Sequence, residues 1–417
     1  MISRLRGDLR AQEGIPAMRR IRVVIPMVLV FGGLFIGNAS RSDAQPTPPP
    51  SSGQGLNDVL IGLLSNNCQG LGPGSTGPLS DLCVIPGTTA GNGGGAVSIV
   101  ESRLGESEEQ RRQAQRLAER RAGRGGSADQ PGTGFGVFVN GDYQFLNKDT
   151  TRFETGFEQH TAGTTVGLDY SFRGRAVLGL ALNYAHEFGD FSGTAGGFDN
   201  DAYGLTLYGS VVPINNLFVD LFAGYTRKEY SFDRRVHLEI QPDRVALGRI
   251  AAGTHSDEFN AGVTVGYDFI LGNVTVGPRA GVNYRDARIA GYQEHGSTGI
   301  ELIYDDQNIV SLTTTAGLFG SMAISTPFGV LVPQATAEYV HEFENDQRSV
   351  GFTFVYSTTR PRFLYQTEPP DRNFFNVGLG AVFVLPGGMS TFVNVRELLG
   401  YSNRTATSVT AGLRIPF

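Results

Sequence analysis

Two cysteines, six histidines and a scatter of acids are the side chains here that could do chemistry. Cys68 and Cys83 bracket a Gly- and Pro-rich loop, with no CxxC spacing that would suggest a metal. In an oxidising compartment they are expected to pair as a disulfide, and closing a loop of this size contributes roughly 3 kcal/mol. His-Glu occurs twice, in Tyr184-Ala185-His186-Glu187-Phe188 and Tyr339-Val340-His341-Glu342-Phe343. Adjacent side chains on a strand point to opposite faces, so neither pair can share a metal or a proton. Parity sends Tyr, His and Phe to one face, at interface height, and Glu187 and Glu342 to the other. His160, His237, His255 and His295 fall in expected connections, and no motif joins them to a nucleophile. No catalytic residue, metal site or cofactor is expected.

The composition fits a wall with unlike sides. Glycine supplies 57 of 417 residues, about twice the usual share of about 7%. Charged residues make up 18%, against about 25% in typical soluble domains. All but two of the 34 basic residues are arginine, yet the net charge is −6, which argues against a chain that coats nucleic acid. Trp is absent, while 27 Phe and 15 Tyr supply aromatic surface. A strand-built wall with lipid on one side and water on the other has this balance.

The N-terminal part reads in three pieces. Arg19, Arg20 and Arg22 form a basic stretch, and an apolar run from Val23 to Gly37 follows. Ser42-Asp43-Ala44 then offers a small-residue cleavage site before Gln45. This is the pattern of an export signal over 1–44, with Met18 a candidate start; the run is short of the roughly 20 residues a membrane helix needs. Residues 45–95 form a short segment that opens with a Pro/Ser/Gly linker and is too Gly-rich to bury much core. Residues 96–133 hold a helix and a flexible linker. The helix has a short apolar stripe at Val97, Val100 and Leu104 and is otherwise polar nearly all round. Its later part is basic: Arg111, Arg112, Arg116, Arg120 and Arg121, with Arg124 just beyond.

From Gly134 the period changes from helical to two. Phe135, Val137, Val139, Tyr143 and Phe145 alternate with polar residues, and so do Val166, Leu168, Tyr170 and Phe172, then Leu178, Leu180, Leu182 and Tyr184. The alternation continues near 201–212, 217–232, 256–271, 274–290, 309–324, 330–345, 373–385, 389–399 and 406–417, giving twelve strands. Short connections, such as Gly272-Asn273, alternate with long ones expected at 146–161, 189–200, 233–255, 291–308 and 346–372. That is an up-and-down meander, not the pattern a soluble sandwich requires. The polar face carries Asp142, Asp169, Asp220, Glu258, Asp268, Glu338 and Glu342. Charges there require interior water or an ion partner, and the basic helix is a candidate partner. The last strand alternates Val409, Ala411, Leu413, Ile415 and Phe417 with polar or small residues and ends on an aromatic.

The export signal, the charged helix, the repeated Tyr-x-His-Glu-Phe and the terminal strand together resemble the autotransporter family of type V secretion, over roughly 96–417. The resemblance implies an all-β transmembrane fold: a 12-stranded antiparallel up-and-down β-barrel over 134–417, with an N-terminal α-helix in the lumen. It implies an outer-membrane protein of a Gram-negative bacterium that displays or translocates its upstream segment. Leu413, Ile415 and Phe417 then resemble the signal read by the barrel-assembly machinery. Outer-membrane lipid, that machinery and periplasmic chaperones are the expected partners, with no nucleic acid, and the barrel is expected to be a monomer. The candidate passenger, 45–95, is far shorter than many in the family, and the helix has no Asn-Asn pair for self-cleavage. A porin-like channel or a loop-mediated adhesin is the alternative.

Overall fold

The computed structural model describes residues 134–172, 176–193, 196–241, 244–385 and 389–416. The expected signal, surface segment and helix lie outside them, as do Cys68, Cys83, the five helix arginines and Phe417.

Nineteen strands follow in chain order. They are β1 (Phe135–Lys148), β2 (Phe157–Phe172), β3 (Ala176–Phe191), β4 (Gly196–Ile214), β5 (Leu217–Gln241), β6 (Arg244–Tyr267), β7 (Phe269–Leu271), β8 (Val274–Ile289), β9 (Tyr292–Gln293) and β10 (His295–Gly296). Then come β11 (Leu302–Tyr304), β12 (Gln307–Met322), β13 (Ile324–Thr326), β14 (Gly329–Glu342), β15 (Ser349–Phe354), β16 (Phe363–Gln366), β17 (Asn373–Val384), β18 (Ser390–Leu399) and β19 (Arg404–Pro416). β7 continues β6 past Asp268, and β13 continues β12 past Ala323. Counted so, twelve antiparallel staves run β1, β2, β3, β4, β5, β6, β8, β12, β14, β17, β18, β19. The last pairs the first from Gly136↔Pro416 to Lys148↔Arg404, which closes the barrel and leaves no open edge.

The alternation decides which face each residue takes. Leu168, Leu180, Leu205, Leu318 and Leu379 point outward and are 46–69% exposed, a contiguous apolar band that only lipid would cover. Inward, large rings lie across from glycines of the neighbouring strand: Phe138↔Gly167, Phe218↔Gly266, Phe222↔Gly262 and Phe392↔Gly412. A Cβ at Gly167 or at Gly266 would overlap the opposite ring. At these positions the glycine is space left for an inward aromatic.

The connections differ from the sequence expectation at the outer end. The long loops expected at 189–200 and 233–255 are mostly strand. β5 and β6 stay paired from Leu217↔Tyr267 to Glu239↔Val245, and β2 begins at Phe157. The apolar-outward rule holds only inside the lipid band, so ribbon beyond it carries a different pattern and reads as loop. Phe232 is buried there, stacked on Tyr230 of its own strand and against Tyr292 of an outer loop. The connections 291–308 and 346–372 hold β9–β11 and β15–β16, which form a small four-stranded sheet, apart from β10, which pairs β6.

Candidate functional site: the lumen and its outer mouth

All seven expected acids fall on the inward face. Asp169, Asp220, Glu258, Asp268 and Glu342 are buried, and Asp142 and Glu338 are half-buried. Parity on β1, β2, β5, β6 and β14 puts them there. Several find cations on the wall itself. Arg414 of β19 reaches across β1 to Asp169 of β2, with contacts of 2.5 and 3.3 Å. Arg285 of β8 donates to Glu258 at 3.2 Å from Nε, with Nη2 at 3.0 Å. Lys228 of β5 lies 3.0 Å from Glu187 and 3.5 Å from Glu258, so one buried network joins β3, β5, β6 and β8. Arg396 of β18 meets Glu338 at 3.3 Å. Glu342 instead accepts from Ser311 Oγ and from the Leu312 and Glu344 amides. Such pairing is what makes buried charge tolerable.

Asp142 is different. Among the described residues no cation pairs with it, and its Oδ1 has no hydrogen-bond partner. Two residues earlier, Asn140 is 2% exposed with both side-chain amide atoms unpartnered. A cavity of about 570 Å³ opens beside Asp142, lined by β1, β19, β18, β17, β14, β12 and β8 with Phe222 of β5 and Asn260 of β6, and reaching the outer rim at Arg348, Glu368, Asp371 and Arg404. Nearer the short-turn end, the Arg279 guanidinium lies between the rings of Phe218 (4.8 Å) and Phe319 (4.0 Å).

The outer mouth carries a second core, not foreseen from the sequence. Leu146, Phe157, Phe191 and Phe198 of β1–β4 are buried together with Tyr292, Leu302, Tyr304, Phe352 and Phe354 of the outer loops. Arg234 anchors it, donating to both carboxylate oxygens of Glu294 at 3.2 and 2.7 Å. The Leu302 amide adds 2.9 Å to Glu294. The wall cations Lys228, Arg285, Arg396 and Arg414 were legible by strand parity. The mouth core had no such signal, because its members come from many segments far apart in the chain.

The outward side bears out the parity reading of the repeated pentapeptide. Tyr184, Phe188, Tyr339 and Phe343 are exposed, whereas Glu187 and Glu342 are buried. Both copies use the neighbouring strand alike. Tyr184 donates to Asp201 at 2.8 Å with His186 Nδ1 at 3.0 Å, and Tyr339 donates to Asn373 at 2.5 Å with His341 Nδ1 at 2.8 Å. Amphipathic rings at one height mark the membrane interface.

Residues 137–396 match the family model described as autotransporter beta-domain. The chain belongs to this family. Among curated relatives, the autotransporter barrel is 26% identical to outer membrane protein B of Rickettsia prowazekii (strain Madrid E), over 68% of this chain and 17% of that protein. It is 28% identical to outer membrane protein A of Rickettsia rickettsii, over 54% of this chain and 10% of that one. It therefore spans only a small part of those relatives' length. Among solved structures, the translocator domain of the autotransporter NalP from Neisseria meningitidis superposes with a TM-score of 0.54 at 16% identity, covering 75% of this chain and 98% of that one. The beta domain of the Bordetella autotransporter BrkA gives 0.50 at 18% identity, covering 68% and 100%. The autotransporter is thus an outer-membrane barrel of twelve strands, its short turns at the periplasmic end and its long connections outside.

Proposed function

We propose that this outer-membrane autotransporter barrel carries its own upstream segment, residues 45–95, to the cell surface and holds it there, with residues 96–133 threading the lumen. The observation that supports this most is the unneutralised inner face of β1. Asp142 Oδ1 and Asn140 Oδ1 are acceptors without partners, and Asp142 lines an open cavity. Leaving such groups unpaired is costly, on the order of 1–3 kcal/mol each. Arg111, Arg112, Arg116, Arg120 and Arg121 lie in the segment just upstream of β1. A guanidinium has five N–H donors and would satisfy the Asp142 carboxylate. Assembly is expected to need the barrel-assembly machinery and periplasmic chaperones, and the barrel to work as a monomer among outer-membrane lipids. An epitope inserted after Gln45 tests the reading. It should bind antibody on intact cells; detection only after the outer membrane is permeabilised would end it.

A further inference from the structure

The inner wall changes character on its way down from the outer mouth. Leu146 of β1, Ile309 of β12, Phe374 of β17, Leu398 of β18 and Ala406 of β19 line the cavity at its outer end. Leu146 belongs to the mouth core, with Ile309 and Ala406 packed against it, and it sits directly across from Ala406 in register. Ile309, Phe374, Leu398 and Ala406 are only half-buried, so five staves leave an apolar collar facing the lumen. Two residues further down each strand the lining turns polar, as at Gln144 and Ser408, and Asp142 follows on β1.

The chain upstream of β1 carries the same order of surfaces. Val97, Val100 and Leu104 make the apolar stripe of the helix read over 96–124, and Arg111 follows Leu104 by seven residues, about two turns, on the same face. Leu104 to Arg111 is about 10 Å along a helix at roughly 1.5 Å per residue. Leu146 to Asp142 is four residues of β1, about 13 Å of strand and about 10 Å along the barrel axis at a tilt of about 40°. The lengths also close at the periplasmic end. Leu104 to Arg124 is about 30 Å of helix, and Leu146 to Phe135 is about 36 Å of strand, or about 28 Å of axis. Residues 125–133 then lead back to Gly134, whose carbonyl accepts the Ser171 amide at 2.7 Å.

We propose that the upstream helix seats in one register, with Val100 and Leu104 in the collar of Leu146, Ile309, Phe374, Leu398 and Ala406, and with Arg111 at Asp142. This rests on the translocation reading above and names the site at which movement of the segment ends. Sliding seven residues outward would put Arg111 into the collar and Ala118 at Asp142. Sliding seven inward would put Leu104 at Asp142. Either shift leaves the carboxylate without its cation, and the outward one also buries a charge among apolar side chains. Asp142 is where the seat is read, because Asp169, Glu258 and Glu338 already hold wall cations. Residues 45–95 are thereby held on the outer side of the collar.

Cysteine pairing in the full-length chain tests this, with Cys68 and Cys83 replaced by Ser and the epitope after Gln45. Heat-modifiable gel mobility selects the folded barrels. Leu104→Cys with Ala406→Cys should oxidise to a cross-link, whereas Arg111→Cys with Ala406→Cys should stay reduced. A 111–406 link in place of 104–406 overturns the register while translocation stands, and so does a displayed epitope with neither link. Charge exchange gives a second reading. Asp142→Arg should lower the melting temperature of the barrel, Arg111→Asp in the same chain should restore most of the loss, and Arg120→Asp should not. Equal restoration by Arg120→Asp, or none by either, overturns the register. A folded barrel that never displays the epitope overturns the translocation reading and the seat with it.

Discussion

Arg414 and Asp169 show what one residue can hold. The pair joins β19 to β2 across β1, so it spans the seam at which the barrel closes. Asp169 is fully buried, and removing its cation would leave an uncompensated charge, a loss of about 3–5 kcal/mol. Arg414→Met should therefore lower the temperature at which the folded band disappears on unheated gels, and adding Asp169→Asn should restore most of it. Above the membrane, burial pushes the Tyr230 hydroxyl up to about 12, and it raises Tyr292 as well. A phenol that ionises near pH 10 when unfolded and only near 12 when folded contributes stability that is complete below pH 10 and is lost as pH rises toward 12. Each unit between those values is worth about 1.4 kcal/mol per phenol. The mouth core should therefore loosen between pH 10 and 12, as followed by phenolate absorbance and protease cutting of the loops. Tyr230→Phe should flatten that dependence; an unchanged profile would show that Tyr230 is not the group responsible.

Individual strands are set by what faces them across the ladder. Phe138 is 1% exposed and lies over Gly167, which has no side chain to obstruct it. Gly167→Val should force the ring aside and lower stability by about 1–3 kcal/mol, the usual penalty for overpacking. Phe138→Leu in the same chain should recover part of the loss by shrinking the ring. Thermal melting of the purified barrel in detergent would read both. At the outer end, the β5–β6 ribbon keeps its register well past the outward Arg227–Asp257 pair that ends the apolar band. The ribbon's inner side buries Tyr230, Phe232, Val236 and Ile250 in the mouth core, so its length beyond the band serves that core and not the membrane.

Closure governs the whole molecule. A twelve-stave sheet left open would expose two rows of unpaired amides to hydrocarbon, so β1 and β19 must meet for the protein to exist in a membrane at all. β1 and β19 are far apart in sequence, and closure waits for the last strand. Leu413 and Ile415 on the outer face of β19 lead up to Phe417. Removing Phe417 should leave precursor in the periplasm and lower the amount of folded barrel in the outer membrane. Cell fractionation with immunoblotting would measure this, and unchanged outer-membrane levels would show that the terminal ring is dispensable.

The sequence by itself determined everything that a period of two can carry. It placed Asp142, Asp169, Asp220, Glu258, Asp268, Glu338 and Glu342 inside, the Tyr-x-His-Glu-Phe rings outside, and twelve strands between them, because parity along a strand is local and survives any later packing. The same parity would have put Lys228 and Arg414 inside, but not beside their acids. Which cation meets which acid depends on register across two or three strands, as with Arg414 reaching over β1. The mouth core lay further out of reach. Tyr230, Tyr292, Tyr304 and Phe352 are apolar at spacings that fit no single element, and their burial exists only once the barrel has brought distant segments to one rim. Local pattern fixed the faces; long-range closure alone could fix the partners and gather the aromatic core at the mouth.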